Sequence, residues 1–379
     1  MRGLSITSFI DPFLLWLISV VALASLFPVS GGAADAFDLL ADFAIALLFF
    51  LHGAKLSRAA IMQGIGNWRL HLLALASTYV LFPLTGLAAE PILATFANPV
   101  LITGLLFLTL LPSTVQSSVA FVSIARGNVA AAVCSASLSN LLGIFLTPVL
   151  VGVFMQSAQG GQGFEWSAVR SIMVQLLLPF LAGHFLRPLI GGFVDRNKKI
   201  LMPIDRGSIL LVVFSAFSAA VVDGIWKVLD LADLGLLLLA SGVILAIVLG
   251  ANALAARMAK LSREDSIVLL FCGSKKSLVS GVPMAGALFA PDQVGMIVLP
   301  LMIFHQIQLF VCAMIANRYA RNPVEEPGAA GAQVPQSPDE IAAAAKSQGL
   351  TIPEPCTDGV ASNLKLLSSH ADRMRGGEA

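Results

Sequence analysis

Leu110-Leu111-Pro112-Ser113-Thr114-Val115-Gln116-Ser117-Ser118 and, far downstream, Cys272-Gly273-Ser274-Lys275-Lys276-Ser277 with Ser280-Gly281-Val282-Pro283 are polar islands inside long apolar runs. Each carries a proline, which removes a helix hydrogen bond, among side chains that favour water or a turn, and the second adds glycines and two lysines. The runs around them, near 98–125 and 266–289, are long enough to cross roughly 30 Å of hydrocarbon at about 1.5 Å per residue. Both segments are therefore predicted to be discontinuous membrane helices. In hydrocarbon a broken backbone survives only where protein or a wet cavity satisfies its NH and CO groups, so the islands mark a polar interior.

The rest of the chain agrees with a bilayer as solvent. Over 379 residues, 57% are hydrophobic and 12% charged, and the mean hydropathy is +0.86; soluble domains carry about a quarter charged residues. The net charge of +1 carries no message about nucleic acid or acidic partners, and no nucleic-acid-binding patch is visible in the sequence. Apolar segments fall near 12–29, 36–53, 70–89, 98–125, 128–155, 168–190, 206–223, 233–257, 266–289 and 292–317, which makes ten. With the N-terminus inside, fifteen Lys and Arg fall on one side: Arg2, Lys55, Arg58, Arg69, Arg126, Arg187, Arg196, Lys198, Lys199, Arg206, Arg257, Lys260, Arg263, Arg318 and Arg321. Only Arg170 and Lys227 fall on the other, which places both termini in the cytoplasm. Arg2 and the run from Phe13 to Phe27 also fit a cleaved signal peptide, but Arg2 and the length of the run favour a retained span. Cys134, Cys272, Cys312 and Cys356 have no metal-binding spacing and read as small core residues. No cofactor is expected.

Five segments precede the outer loop around Gln156 to Glu165 and five follow it, so residues 1–155 and 156–321 are expected to be inverted repeats, a plan common in secondary transporters. The broken segments are fourth and ninth, in corresponding places. From Asn322 the text turns to Pro, Gly, Ala, Ser and charge, and 322–379 reads as a disordered cytoplasmic tail. Within it, Ser337-Pro338-Asp339-Glu340 has the capping chemistry to start one short helix.

An ionisable residue inside a span costs at least about 2.5 kcal/mol and usually faces a cavity or a partner. Two readings of Lys275 and Lys276 stand. Either one snorkels to the interface or pairs with carbonyl ends as a structural counter-ion, or at least one lies in the substrate cavity as a fixed cation for a carboxylate, sulfate or phosphate, or as a protonation switch. Ser135, Ser137, Ser139 and Asn140 in the fifth span, and His305, Gln306 and Gln308 in the tenth, are weaker pointers to a cavity; Asp42 and His184 are weaker still.

Leu111-Pro112-Ser113-Thr114-Val115-Gln116-Ser117-Ser118, Ala125-Arg126-Gly127-Asn128-Val129, Leu146-Thr147-Pro148 and Cys272-Gly273-Ser274-Lys275-Lys276-Ser277-Leu278 together resemble the bile acid:sodium symporter superfamily, in its divergent symporter-like (SBF-like) branch. The resemblance covers roughly residues 10 to 320. It implies an all-α membrane protein of ten helices in two inverted five-helix units, a panel and a core, with broken helices 4 and 9 crossing in the core. It also implies alternating-access transport of organic anions. The implied crossover site is Pro112, Ser113, Thr114, Gln116, Ser117, Ser118, Gly273, Ser274, Lys275, Lys276 and Ser277, with Ser139, Asn140, His305 and Gln306 as cavity-lining candidates.

One departure qualifies this. Sodium-coupled members carry an acidic residue and a Gln-Asn pair in the ninth span, and a Pro-Gly-Gly and a Ser-Asn pair in the fourth. Here the matching positions are Phe271, Lys275-Lys276, Ser113-Thr114 and Ser117-Ser118. A lysine ammonium is expected to take over the charge role of a bound cation, leaving a carrier that is sodium-independent or proton-linked. The expected partners are a small organic solute, a proton or Na+, and membrane lipid, in a bacterial inner membrane. Two other functions compete: a non-transporting regulator or ion-homeostasis partner, and an intramembrane hydrolase using Ser274, Ser277 or Ser280 with a lysine base.

Overall fold

The computed structural model describes residues 12–55, 67–158, 166–321, 334–347 and 350–374, and the described residues form helices and no strands. Arg2, Arg58, Glu165 and the tail stretch from Pro323 to Gly328 lie outside the described residues. The chain divides at Arg321 into a large helical unit and a smaller C-terminal one.

The large unit begins with α1 (Pro12–Leu26) and α2 (Gly32–Lys55). The third segment is α3 (Trp68–Ala76), a π turn (Ser77–Leu81) and α4 (Phe82–Leu93). The fourth is split into α5 (Pro99–Leu110) and α6 (Gln116–Ile124). Next come α7 (Val129–Ala158), α8 (Trp166–Arg196), α9 (Lys198–Val222), the short α10 (Ile225–Val228) and α11 (Leu231–Met258). The ninth segment is split into α12 (Arg263–Gly273) and α13 (Leu278–Leu288), and α14 (Pro291–Arg321) closes the unit. Among the described residues, seven stretches can cross a membrane by length and composition, with Leu15–Leu26 and Pro99–Leu110 as shorter apolar helices.

Local chemistry sets these boundaries. Asn98 caps α5 by accepting from the Val100 amide at 2.9 Å, with Pro99 at the first turn. Ser262 caps α12 through the Asp265 amide at 3.1 Å, and Asp230 and Asp233 form a capping box on α11. The seventh segment starts at Lys198 and not near 206, because a helix that begins in the polar loop is invisible to hydropathy; Arg206 therefore lies inside α9.

Burial orders the helices. In the stretch Arg263–Leu288, 94% of the apolar window is buried, against 22% in Leu176–Val194, so the broken ninth segment is the centre of the unit. Exposed Leu189, Leu231 and Phe96 present apolar surface outward, as a lipid face requires. The α2–α8 crossing is the tightest: a Cβ at Gly53 would meet the Phe180 carbonyl oxygen, and one at Gly183 the Phe50 carbonyl oxygen, each at 2.0 Å.

In the C-terminal unit α15 (Pro338–Ser347) forms where the Ser337 cap places it: Ser337 Oγ accepts from the Glu340 amide at 3.3 Å, and the Glu340 carboxylate accepts from the Gln336 and Ser337 amides. The reading of 322–379 as disordered misses a second helix, α16 (Thr357–Met374). Its Val360, Leu364 and Leu367 recur at helical spacing in a segment whose average composition hides them. Gln336 Nε2 donates to Ser368 Oγ at 2.8 Å.

Candidate functional site

Both breaks end a helix on its carbonyl side, and buried carbonyls need donors. At the end of α5 the donors come from several segments. Thr147 Oγ1 donates to the Leu110 oxygen at 2.9 Å, the Ser277 amide to Pro112 at 2.9 Å, and Asn140 Nδ2 to Ser113 at 2.6 Å. At the end of α12 the donors are hydroxyls. Ser274 serves Leu270 at 2.5 Å, Ser118 serves Phe271 at 3.2 Å, Ser113 serves Cys272 at 2.6 Å and Ser77 serves Gly273 at 2.8 Å. Each broken segment thus supplies donors to the other, and this locks the crossing.

Lys276 completes the α5 end. Its ammonium donates to the Thr109, Leu111 and Thr78 carbonyl oxygens at 2.7, 2.7 and 2.8 Å, and lies 4.2 Å from the Phe82 ring centroid. The Thr78 oxygen is free because the π turn commits the Phe82 amide to Ser77, and the next residue, Pro83, has no N–H. Three carbonyls and a ring face around one positive charge satisfy all the protons of an ammonium. Lys275, the next residue, is equally buried but has no hydrogen-bond partner at Nζ; it lies 3.8 Å from the Phe121 ring centroid and 5.8 Å from that of Phe271.

A cavity of about 540 Å³ separates the crossover from α1, α2, α8 and α9. On the crossover side it is polar, with Thr114, Gln116, Ser117, Asn140, Ser277 and His305. Opposite, Phe13, Phe49 and Phe180 give an apolar wall that ends in His52, Lys55, Asp205 and Arg206. Lys55 and Asp205 form an ion pair, and Arg206 Cζ lies 5.4 Å from the Phe13 ring. The cavity thus has one polar and one apolar wall, the lining expected of a small-molecule site.

The sequence profile of the SBF-like CPA transporter family matches residues 11–321, the whole helical unit. The chain belongs to that family. This SBF-like transporter is 54% identical over 312 residues to YfeH of Escherichia coli K12, which carries a symporter name, covering 82% of this chain and 93% of the relative. It is 55% identical over 326 residues to an uncharacterized protein of Pseudomonas aeruginosa, covering 86% and 97%. It is 26% identical over 314 residues to sodium/bile acid cotransporter 7 of Danio rerio, covering 80% and 91%. It is therefore a multi-pass membrane transporter of the bile acid:sodium family and not an enzyme. Ser274, Ser277 and Ser280 donate to the Leu270 oxygen, Ser280 Oγ and Asn140 Oδ1 respectively, and neither lysine ammonium is hydrogen-bonded to any of them.

Of the residues singled out in this transporter's sequence, Thr114, Gln116, Ser117, Ser137, Ser277, Ser280, Asn140 and His305 line the cavity. Pro112, Ser113, Ser118, Gly273, Ser274 and Ser139 belong to the crossing behind it; Ser139 Oγ accepts from the Ser113 amide at 3.0 Å. Lys275 and Lys276 also lie behind it, so of the two lysine readings the geometry fits the counter-ion one, and for Lys276 alone. Gln306 has a buried, unpartnered Oε1 outside the cavity lining, His184 stacks on Phe180 at 6.3 Å, and Asp42 is exposed. His52, Lys55, Asp205 and Arg206 were missed as cavity residues; Lys55 and Arg206 read first as topology signals, and His52 and Asp205 sit near span ends without a mark of their own. Gln308 matters more than its sequence suggests: its side-chain amide pairs with both backbone groups of Lys276.

Proposed function

We propose that the chain is a secondary active carrier for a small organic anion in the bacterial inner membrane, crossing the bilayer ten times with both termini cytoplasmic. Residues 1–155 and 156–321 act as inverted repeats. The panel is α1, α2, α8 and α9, and the core carries the crossing of α5/α6 with α12/α13. In support, the panel contact of α2 with α8 has its repeat counterpart in that of α1 with α9, and the two breaks fall in equivalent helices. The carrying observation is the cavity between core and panel, with Lys55 and Arg206 on the Lys/Arg-rich side of the protein.

Sodium is not needed at the α5 end, because the Lys276 ammonium takes a cation's place among the carbonyls. The carrier is accordingly sodium-independent or proton-linked. The test is counterflow of a labelled bile acid, and of smaller carboxylates and sulfates, in liposomes with a sodium gradient, a proton gradient or neither. Saturable counterflow without sodium is expected. Strict sodium dependence that survives Lys275→Ala and Lys276→Ala overturns the coupling, and no counterflow with any anion overturns the carrier.

A further inference from the structure

We infer that His305 is a proton-binding site on the cavity wall and that loading it unlatches the α12/α13 break. This deepens the proton-linked carrier reading and rests on it for its place in a transport cycle.

Gln308 lies one helical turn beyond His305 on α14. Its Oε1 accepts from the Lys276 amide at 2.9 Å, and its Nε2 donates to the Lys276 carbonyl at 2.9 Å. That double pairing fixes the orientation of the side-chain amide, since turning it over would set N–H against N–H and oxygen against oxygen. Gln308 Nε2 also lies 2.9 Å from His305 Nδ1, and its remaining hydrogen points there. Nδ1 must then be the acceptor, so the imidazole is neutral with its proton on Nε2.

A second proton can enter the ring only at Nδ1. That places an N–H against the Gln308 N–H, so the proton and the His305–Gln308 contact exclude each other. The amide is the group that turns away in this proposal, and the backbone of Lys276 is released with it. Lys276 also holds Thr109 and Leu111 at the end of α5 through its ammonium. A proton taken from cavity water at His305 therefore acts on one break through the backbone and on the other through a side chain.

The other charged groups around His305 are few. Helices α5, α6 and α13 have no titratable side chain, and α11 carries only Asp233 and Arg257, at its ends. Across the cavity α9 presents Asp205 and Arg206, and α2 presents His52 and Lys55. Beside His305 the crossover holds Lys275 and Lys276, neither of which lines the cavity. His52 is the other cavity imidazole, but its Nδ1 bonds its own helix at the Leu48 oxygen, 2.8 Å away, so protonating it disturbs no break.

The experiment is hydrogen–deuterium exchange of the full chain in lipid nanodiscs, reading the peptide that covers 272–282 at about pH 5.5 and about pH 7.5 after correction for intrinsic rates. Wild type is expected to exchange about tenfold faster at the lower pH. His305→Gln keeps a neutral acceptor and is expected to stay protected at both; His52→Gln is expected to keep the wild-type pH response of this peptide. Gln308→Glu, whose carboxylate accepts from a protonated ring, is expected to reverse the pH dependence, and it serves where His305→Gln fails to fold. Equal wild-type exchange at both pH values, a wild-type response kept in His305→Gln, or no reversal in Gln308→Glu overturns the site. A chain with the pH response but no anion counterflow keeps the proton site and loses the carrier reading; counterflow with pH-independent exchange does the opposite.

Discussion

Replacing each of two adjacent buried lysines by methionine, which keeps the chain length and removes the charge, is expected to give opposite results. Lys276→Met leaves the Thr78, Thr109 and Leu111 oxygens without a donor. A buried carbonyl left unpaired costs about 1–3 kcal/mol, so three cost roughly 3–9 kcal/mol. Against this, the variant no longer holds an ammonium out of water, which returns several kcal/mol. The net expectation is a loss of about 3 kcal/mol, in the range for removing one partner of a buried charged pair. Lys275→Met also sheds an ammonium, but that ammonium has no hydrogen bond to lose, only ring contacts worth about 2 kcal/mol. It is therefore expected to be neutral or stabilising. Thermal unfolding of the purified chain in detergent, followed by intrinsic fluorescence, reads both, with the Lys276→Met midpoint falling by several degrees and the Lys275→Met midpoint holding or rising. Equal destabilisation by the two would refute the reasoning, since burial would then matter and the carbonyl cage would not.

Three further outcomes follow from particular contacts. Gly183→Ala sets a methyl 2.0 Å from the Phe50 carbonyl oxygen and is expected to cost about 1–3 kcal/mol by forcing α2 and α8 apart, whereas Gly207→Ala, with open space around it, is expected to leave the unfolding midpoint unchanged or higher. Asp205→Asn releases Lys55 from its partly exposed ion pair and removes a like charge from an anion's surroundings; binding of a labelled organic anion is expected to tighten about fivefold, and Arg206→Gln to weaken it, by equilibrium dialysis. In the tail, hydrogen bonds from the Gln336 and Ser337 amides hold the Glu340 carboxyl below its usual value of 4.5. Its contribution to α15 is present above that value and lost as pH falls through the lower folded value; carbon chemical shifts of Ala342 to Ala345 are expected to move toward coil only at acid pH, and Glu340→Gln to flatten the change.

What the sequence made legible follows the strength of its punctuation. Pro112 and Gly273 announce the two breaks because proline and glycine act on the backbone itself, and the helices end within a few residues of them. The π turn at Ser77–Leu81 carries no comparable mark. Its one clue is Pro83, whose missing N–H leaves an upstream carbonyl unpaired, and nothing local says which distant group will answer it. Lys276 meets Thr78 across 198 positions and Gln308 meets Lys276 across 32. Such pairings depend on packing, which a single sequence does not print. Lys55 and Arg206 failed to register for a different reason: a lysine or arginine at a span end satisfies the topology rule whether or not it also faces a cavity.

The two helix ends at the crossing carry similar partial negative charge but are neutralised differently, α5 by an ammonium and α12 by the hydroxyls of Ser77, Ser113, Ser118 and Ser274. A bound sodium ion at the α5 end would leave during a transport cycle, and the apparent stability of the protein would rise with sodium concentration, because a ligand that binds only the folded state stabilises it by mass action. A tethered ammonium cannot leave, so the crossing keeps its charge balance in any salt. The unfolding midpoint of the wild-type chain is therefore expected to be the same in sodium, potassium and choline chlorides at equal ionic strength. Lys276→Met should differ, because its emptied cage of three carbonyls and a ring face suits a small cation, and a midpoint raised by methylammonium or sodium in that variant alone is the expected signature. A sodium-specific rise in the wild type would mean that a second cation site exists beside the lysine, and the ammonium could then no longer be read as the substitute for one.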